Sequence, residues 1–234
     1  MSRPIIGIVT KHPELKEKQK AYIYIKDEYK QAIFDNGGIA IGILPVDQEV
    51  YYCIDNWDEY YLSKENRNKL YAQIDLCDGI LLQGGFRSDQ YEPLIARYCY
   101  DHDIPLLGIC AGQNCMSRAF GGTTKPVADL KKHNNSKKYA HDINIDSNSK
   151  FYQIVKTEKM AVNSWHHRNI TDFQELKVAA YCEDGYPDVI EAKNKMFYLG
   201  VRFHPEVLYL EDQNMQAIFI SFIEACKKYQ ERKK

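Results

Sequence analysis

The feature that most constrains this chain is an apolar run, residues 105–112 (PLLGICAG), in which Cys110 lies between two glycines. A strand that turns sharply into a helix needs small residues on both sides of the turn, because larger side chains collide there. The run therefore predicts a nucleophile elbow, with the thiol at the amino end of a helix whose dipole favours thiolate. A buried core cysteine is the alternative for a lone cysteine. The Gly-x-Cys-x-Gly frame favours the nucleophile.

A second segment, residues 199–206 (LGVRFHPE), supplies a candidate base and a group to orient it. Proline restricts the preceding residue to extended geometry, so we expect His204 near the end of a strand. Every second side chain of an extended chain lies on the same side, which would place His204 beside Glu206. Glu206 would then accept a hydrogen bond from one ring nitrogen and direct the other towards Cys110. By itself, a His-Pro-Glu triplet is more commonly a turn.

Composition excludes several classes of protein. The chain has 234 residues, a length that favours a single domain spanning residues 1–234. Its net charge of -1 argues against nucleic-acid or anionic-membrane partners. No run approaches the roughly 20 apolar residues of a membrane span, and no signal-peptide pattern is present. The cysteines number seven, without a Cys-x-x-Cys pair, which argues against disulfides and against a cysteine zinc site. We expect a cytoplasmic location.

Strand and helix patterns alternate through the first half of the chain. Apolar runs predict strands at residues 5–10, 39–46, 79–83 and 105–110. Helical patterns occupy residues 22–36, 51–71, 91–102 and 111–120, with residues 37–38 (GG) as a stop signal. This alternation predicts an α/β fold with a flavodoxin-like parallel central sheet flanked by helices.

The second half of the chain has a different pattern. Shorter alternating segments predict an antiparallel extension of the sheet, at residues 141–145, 160–163, 176–181, 189–192 and 197–203. Residues 212–228 predict a closing amphipathic helix. Ligands of parallel sheets bind beyond the carboxyl ends of the strands, where both Cys110 and the glycine pair Gly84-Gly85 are expected. Backbone N–H groups of that glycine turn and of Ala111 would converge there on a developing oxyanion.

Together these residues resemble the class I glutamine amidotransferase superfamily, and within it the stand-alone γ-glutamyl hydrolases such as γ-glutamyl-γ-aminobutyrate hydrolase. The resemblance spans nearly the whole chain and is carried by residues 4–8, 79–85, 108–112, 121–123, 162–167 and 200–206. The Asn-Ser-x-His-His element at residues 163–167 separates this branch from ordinary amidotransferase domains.

The resemblance implies a catalytic triad of Cys110, His204 and Glu206, with Gly85 and Ala111 as oxyanion donors. It also implies a set of substrate-binding positions around the γ-glutamyl group. These are Gly84, Gln113, Asn114, Ser164, Trp165 and His166. The pair His166-His167 is equally compatible with two satisfied buried histidines. Nucleophile activation and preorganised donors suffice for this chemistry, so we expect neither a metal nor a cofactor.

Three departures from the family pattern concern recognition of the substrate. Asn114 occupies the place of the usual glutamine, with Gln113 just before it. Arg87 lies in an altered glycine turn, where it either contacts a substrate anion or, as we favour, is an exposed loop cation. Arg168 replaces the usual glutamine after the histidine pair. The two arginines favour an anionic leaving group, whose identity stays open.

The expected activity is hydrolysis of a small γ-glutamyl amide through a glutamyl thioester, releasing glutamate and an amine. One alternative is a glutaminase subunit that supplies ammonia to a separate synthetase, which forms the same thioester. Another is a non-catalytic regulator that binds a γ-glutamyl ligand, although the complete triad argues against it. The resemblance is also compatible with a homodimer.

Overall fold

The computed structural model describes residues 2–12, 22–47, 62–85 and 91–234. Strands and helices alternate through the first half of these ranges. The strands are β1 (Ile5–Val9), β2 (Ile39–Ile43), β3 (Gly79–Leu82) and β4 (Leu106–Ile109). The helices are α1 (Asp27–Asp35), α2 (Lys64–Asp75), α3 (Glu92–Asp101) and α4 (Ala111–Arg118).

The second half is dominated by strands. These are β5 (Thr124–Pro126), β6 (His141–Ile145), β7 (Lys159–Val162), β8 (Arg168–Ile170), β9 (Lys177–Cys182), β10 (Pro187–Glu191) and β11 (Tyr198–Val201). The helices are α5 (Leu130–His133), α6 (Lys150–Val155), α7 (Pro205–Leu208) and α8 (Gln213–Lys233). No helix within the described ranges has both the length and the apolar character that a bilayer span requires.

Nine strands form one sheet in the order β2-β1-β3-β4-β11-β10-β9-β6-β7. The pairs from β2 to β11 are parallel, and β10, β9, β6 and β7 continue the sheet with antiparallel pairing. The predicted fold class, a flavodoxin-like parallel sheet with an antiparallel extension, is confirmed. Because β4 and β11 are parallel neighbours, residues that follow both strands meet at one edge.

Helices cover both faces of the sheet, as alternating burial along the strands requires. Ile8, Leu81 and Leu107 pack with α1, α6 and α8 on one face. Ile80 and Leu82 pack with α2, α3 and α4 on the other. Each central strand is buried on both sides, which explains its continuous apolar run.

Two helix boundaries differ from the prediction, while a third agrees with it. The helix predicted from residue 22 begins at Asp27, because Lys11 and Tyr24 exchange backbone hydrogen bonds of 3.0 and 2.7 Å and hold the chain extended. The helix predicted from residue 51 has its observed start at Lys64, after the cap Ser63; residues 51–61 lie outside the described ranges. Helix α1 stops as expected at Gly37, whose φ of +86° favours glycine.

Candidate active site

Cys110 occupies a strained backbone position between β4 and α4. Its φ is +52° and its ψ is -101°, a backbone conformation that residues other than glycine rarely adopt. A Cβ at Gly112 would lie 2.3 Å from the carbonyl oxygen of Leu82, and one at Gly108 would lie 2.4 Å from Met116 Sδ. Both glycines are therefore required sterically, which explains the frame seen in the sequence. The turn directs the thiol towards the carboxyl edge of the sheet, at the amino end of α4.

His204 follows β11, the parallel neighbour of β4, and is fixed by Asn163. The Asn163 amide donates to the His204 carbonyl at 2.9 Å and accepts from the His204 N–H at 2.7 Å. This two-bond clamp joins the loop after β7 to the histidine backbone. Asn163 is the first residue of the Asn-Ser-x-His-His element, but nothing in the sequence indicated that it binds the His204 backbone.

His204 and Glu206 form a direct hydrogen bond, although not for the reason expected from the sequence. Nδ1 of His204 lies 2.6 Å from Glu206 Oε1. His204 has the expected non-helical backbone, with φ -112° and ψ 85°, but the expected extended continuation to Glu206 is wrong: His204 caps the short helix α7, and Glu206 lies in its first turn. The residues are brought together by the cap geometry at Pro205, whose fixed φ suits the first helical position.

Cys110 and His204 are buried side chains that alter each other's pKa. Burial alone raises the pKa of the Cys110 thiol, but the charge of His204, the hydrogen bond to it and the charge of Arg202 together lower it below its usual value. Burial alone lowers the pKa of His204, but Glu206 and Cys110 raise it strongly. Because Nδ1 of His204 bonds to Glu206, Nε2 is the ring nitrogen left to interact with Cys110. The arrangement favours a thiolate–imidazolium pair.

Tyr29 of α1 links the glycine turn after β3 to Glu206. Its hydroxyl accepts a hydrogen bond of 2.9 Å from the Gly84 N–H. Burial, followed by the charge of Glu206 and a hydrogen bond to it, raises the pKa of Tyr29 well above its usual value. A Cβ at Gly84 would lie 2.7 Å from the His204 ring and 2.9 Å from this hydroxyl. Gly84 therefore supports the site through close packing. Nothing in the sequence predicted that Tyr29 lies at the site.

A cavity of about 570 Å³ opens in front of Cys110. Its lining includes Tyr24, Lys26, Gly85, Cys110, Ala111, Asn114, Trp165, His166, His167, Arg168, Arg202 and His204. Seven of these were candidates from the sequence, and both expected oxyanion donors are among them. The volume suits a small ligand.

Two other candidates lie outside the cavity lining. Gln113 is fully buried, and its amide donates to the carbonyls of Asp188 and Gly200. Ser164 is also buried, and its hydroxyl donates to the His133 carbonyl at 2.8 Å. Neither side chain lines the cavity. Arg87 lies outside the described residues.

Arg202 is the largest fully buried side chain, at 1% exposure, and it lies behind the nucleophile. One terminal nitrogen donates to the Cys110 carbonyl at 3.2 Å, and the other donates to Asn114 Oδ1 at 2.7 Å. Its charge is one of the causes that lower the pKa of Cys110. Nothing in the sequence distinguished Arg202 from any strand arginine, because only the pairing of β11 with β4 places it there.

The Asn-Ser-x-His-His segment forms one wall of the cavity. The Trp165 ring lies 5.0 Å from the His204 ring. His166 is buried and its Nδ1 lies 3.1 Å from the Arg168 carbonyl; burial and the charge of Arg202 lower its pKa to about 2, so its ring is neutral. His167 is exposed. The two histidines are therefore not a buried pair, and both border the cavity.

Comparison with known proteins agrees with this geometry. Residues 4–206 match the Peptidase C26 family. A glutamine amidotransferase-like protein of Rickettsia prowazekii, RP404, is 25% identical over 301 aligned positions, which cover 96% of this chain and 98% of that protein. The CTP synthase of Chlamydia trachomatis serovar L2 is 28% identical over 193 positions covering 68% of this chain, which spans 36% of that protein.

A solved structure has the same fold. The glutaminase domain of Trypanosoma brucei CTP synthase, with bound acivicin, superimposes with a TM-score of 0.67 at 17% identity, covering 96% of this chain and 94% of that one. With the family match over most of its length, this chain belongs to the Peptidase C26 family of the class I glutamine amidotransferase-like superfamily.

Proposed function

We propose that this protein is a cysteine-dependent hydrolase of small γ-glutamyl amides. The observation that carries the proposal is the meeting of Cys110, His204 and Glu206. His204 Nδ1 lies 2.6 Å from Glu206 Oε1, and Cys110 and His204 both line a cavity of about 570 Å³. Nucleophile, base and orienting carboxylate in one chain are the groups that acyl transfer requires.

In the acylation step, the Cys110 thiolate attacks the γ-carbonyl carbon and forms a C–S bond. The carbonyl oxygen becomes negative and accepts hydrogen bonds from the Gly85 and Ala111 N–H groups, the two candidate donors in the cavity lining. His204 Nε2 then gives its proton to the amide nitrogen as the C–N bond breaks. The amine departs and a glutamyl thioester remains.

In the deacylation step, neutral His204 takes a proton from water as its oxygen attacks the thioester carbon. The C–S bond breaks, the thiolate is regenerated and glutamate leaves. Glu206 accepts the Nδ1–H bond throughout and keeps the ring oriented. Both steps use groups of the chain itself and one water molecule.

The charges around the cavity support an anionic leaving group. Lys26 and Arg168, both exposed, line its mouth. The Arg168 guanidinium is held by Thr124, through a bond of 2.7 Å to its carbonyl and one of 3.1 Å to its hydroxyl. A carboxylate on the released amine would pair with these cations.

A panel of γ-glutamyl amides, with neutral and carboxylate-bearing amines, tests the proposal by glutamate release. We expect turnover of carboxylate-bearing amides, and none by Cys110→Ala. Cys99→Ala, at a buried thiol far from the cavity lining, is the matched control and should retain activity. Full turnover by Cys110→Ala would overturn the assignment of the nucleophile.

A second candidate is a glutaminase subunit that works with a separate synthetase. Its support is the similarity to a CTP synthase and to the glutaminase domain of another. Ammonia release from free glutamine, measured with and without cell extract, separates the two functions. Glutaminase activity that depends on the extract would favour the subunit, and extract-independent hydrolysis of larger amides favours the hydrolase.

A further inference from the structure

Three metal-binding types of side chain meet on the antiparallel extension, outside the cavity lining and next to Arg202, whose backbone N–H donates to the Asp188 carbonyl at 2.7 Å. His141 begins β6, Cys182 ends β9 and Asp188 lies in β10, three neighbouring strands. Each residue offers one donor atom, and these three atoms all lie within 4.8 Å of one another. All three residues are buried. We call these three residues the strand cluster.

Sheet register explains why these residues meet. Cys182 pairs with Ile143 of β6, and His141 lies two residues earlier, on the same face. Asp188 is the second residue of β10, at the irregular register between Pro187 and Val189. The residues are separated by 41 and 6 positions, so the spacing does not resemble a cysteine zinc motif, and nothing in the sequence indicated that they meet.

The strand cluster contains buried polar atoms without partners in the described structure. His141 Nε2 lies 2.7 Å from Asp188 Oδ2. Asp188 Oδ1 and His141 Nδ1 have no hydrogen-bond partner among the described residues, although both are buried. A buried carboxylate oxygen without a partner is costly, and a bound ion is one of the usual reasons for it.

A histidine near the strand cluster has a feature of metal sites. His133, whose ring lies 5.1 Å from that of His141, bonds to Asp184 through Nε2 at 3.0 Å. Its Nδ1 is buried without a partner among the described residues. A carboxylate on one ring nitrogen with the other left open is the usual arrangement of a ligating histidine.

We propose that the strand cluster binds one divalent transition-metal ion, Zn²⁺ in the first place, as a structural site that joins β6, β9 and β10. Imidazole, thiolate and carboxylate are all zinc ligands. A neutral imidazole with one thiolate and one carboxylate carries a charge of -2, opposite to that of the ion, although the Asp188 carboxylate also interacts with the buried Arg202 guanidinium. On binding, the Cys182 thiol releases its proton to solvent and a S–Zn bond forms.

The geometry needs a small rearrangement. Ligand atoms of tetrahedral zinc lie about 3.5 Å apart, so the widest pair of the strand cluster, within 4.8 Å, would close by about 1 Å. The pair of His141 Nε2 and Asp188 Oδ2, at 2.7 Å, would open by about 1 Å if both atoms bind the ion. The fourth position is filled by water or, after a movement of its ring, by His133. Without a metal, the same residues form only a buried His141–Asp188 pair beside a thiol, which is the alternative to be tested.

Cobalt binding tests the proposal with a spectroscopic signature. The Cys110→Ala chain is stripped with a chelator, so that the catalytic thiol cannot act as ligand, and is titrated with Co²⁺. We expect one equivalent to bind, with a thiolate-to-cobalt charge-transfer band in the near ultraviolet. Adding Cys182→Ser should abolish the band, whereas adding Cys226→Ser, another buried thiol, should leave it unchanged.

X-ray absorption of the Zn²⁺-loaded Cys110→Ala chain identifies the atoms bound to the metal, and it does not require Cys182→Ser to fold. We expect one sulfur at about 2.3 Å and nitrogen or oxygen ligands at about 2.0 Å. Substoichiometric binding, a zinc shell without sulfur, or a cobalt band that survives Cys182→Ser would overturn the proposal. None of these measurements depends on the proposed hydrolase activity.

Discussion

Nδ1 of His204 lies 2.6 Å from Oε1 of Glu206, and both side chains are almost completely buried. The two residues belong to the first turn of α7 and its cap, so the carboxylate is held by helical geometry. Glu206 is the first cause that raises the pKa of His204 against the opposing effect of burial.

Glu206→Gln should therefore lower the pKa of His204 and weaken the imidazolium that stabilises the Cys110 thiolate. His204 lowers the pKa of Cys110 more than Glu206 raises it, so the net effect is a higher pKa for the thiol. The pH profile of Cys110 alkylation should move to higher pH, and hydrolysis should fall about 10- to 100-fold, less than on loss of the base. Glu211→Gln, at an exposed carboxylate, is the control. An unchanged profile would contradict the assigned role.

Arg202→Gln should raise the pKa of Cys110, since the arginine charge lowers it. Alkylation by iodoacetamide at neutral pH should slow, by about tenfold for each unit of pKa. Arg202→Lys keeps a charge and should recover part of the rate, whereas an effect on packing alone would not follow charge. Arg232→Gln, which breaks a partly exposed pair with Asp103, should leave the rate unchanged.

Gly112→Ala should disrupt the elbow. The added Cβ would lie 2.3 Å from a backbone oxygen of β3, which cannot move without shifting the strand. We expect a loss of about 1–3 kcal/mol in the free energy of unfolding, with reduced alkylation of Cys110. Gly42→Ala, whose Cβ would have ordinary contacts from 3.4 Å outward, is the matched control. Equal urea midpoints for the two variants would show that the close approach is not constraining.

Lys11→Met should destabilise the fold, because it removes the lysine charge that pairs with the buried Glu92 carboxylate. Lys11 Nζ lies 2.5 Å from Glu92 Oε1, and both side chains are at most 2% exposed. Removing one partner of a buried pair costs about 3–5 kcal/mol, because the other charge stays buried. Lys69→Met, in the exposed pair with Glu65, should change stability little. Urea denaturation measures both, and similar losses would refute the argument.

Predictions from the sequence succeeded where local chemistry constrains the chain. Steric need fixes Gly108 and Gly112 around Cys110, and continuous apolar runs identify the central strands. Predictions failed where one local rule permits two continuations. Pro205 restricts only the residue before it, so the chain after His204 can continue as a strand or begin a helix, and in the structure it begins α7.

By itself, the sequence determined the α/β class and the glycine frame around Cys110, because each depends on residues adjacent in the chain. It predicted His204 and Glu206 as companions of Cys110 from a short motif and the family resemblance. Only the tertiary structure decided which distant side chains join them. The order of strands places Arg202 behind the thiol, α1 brings Tyr29 to Gly84, and antiparallel register gathers the strand cluster. Such contacts arise from packing between elements remote in sequence, and no local pattern encodes them.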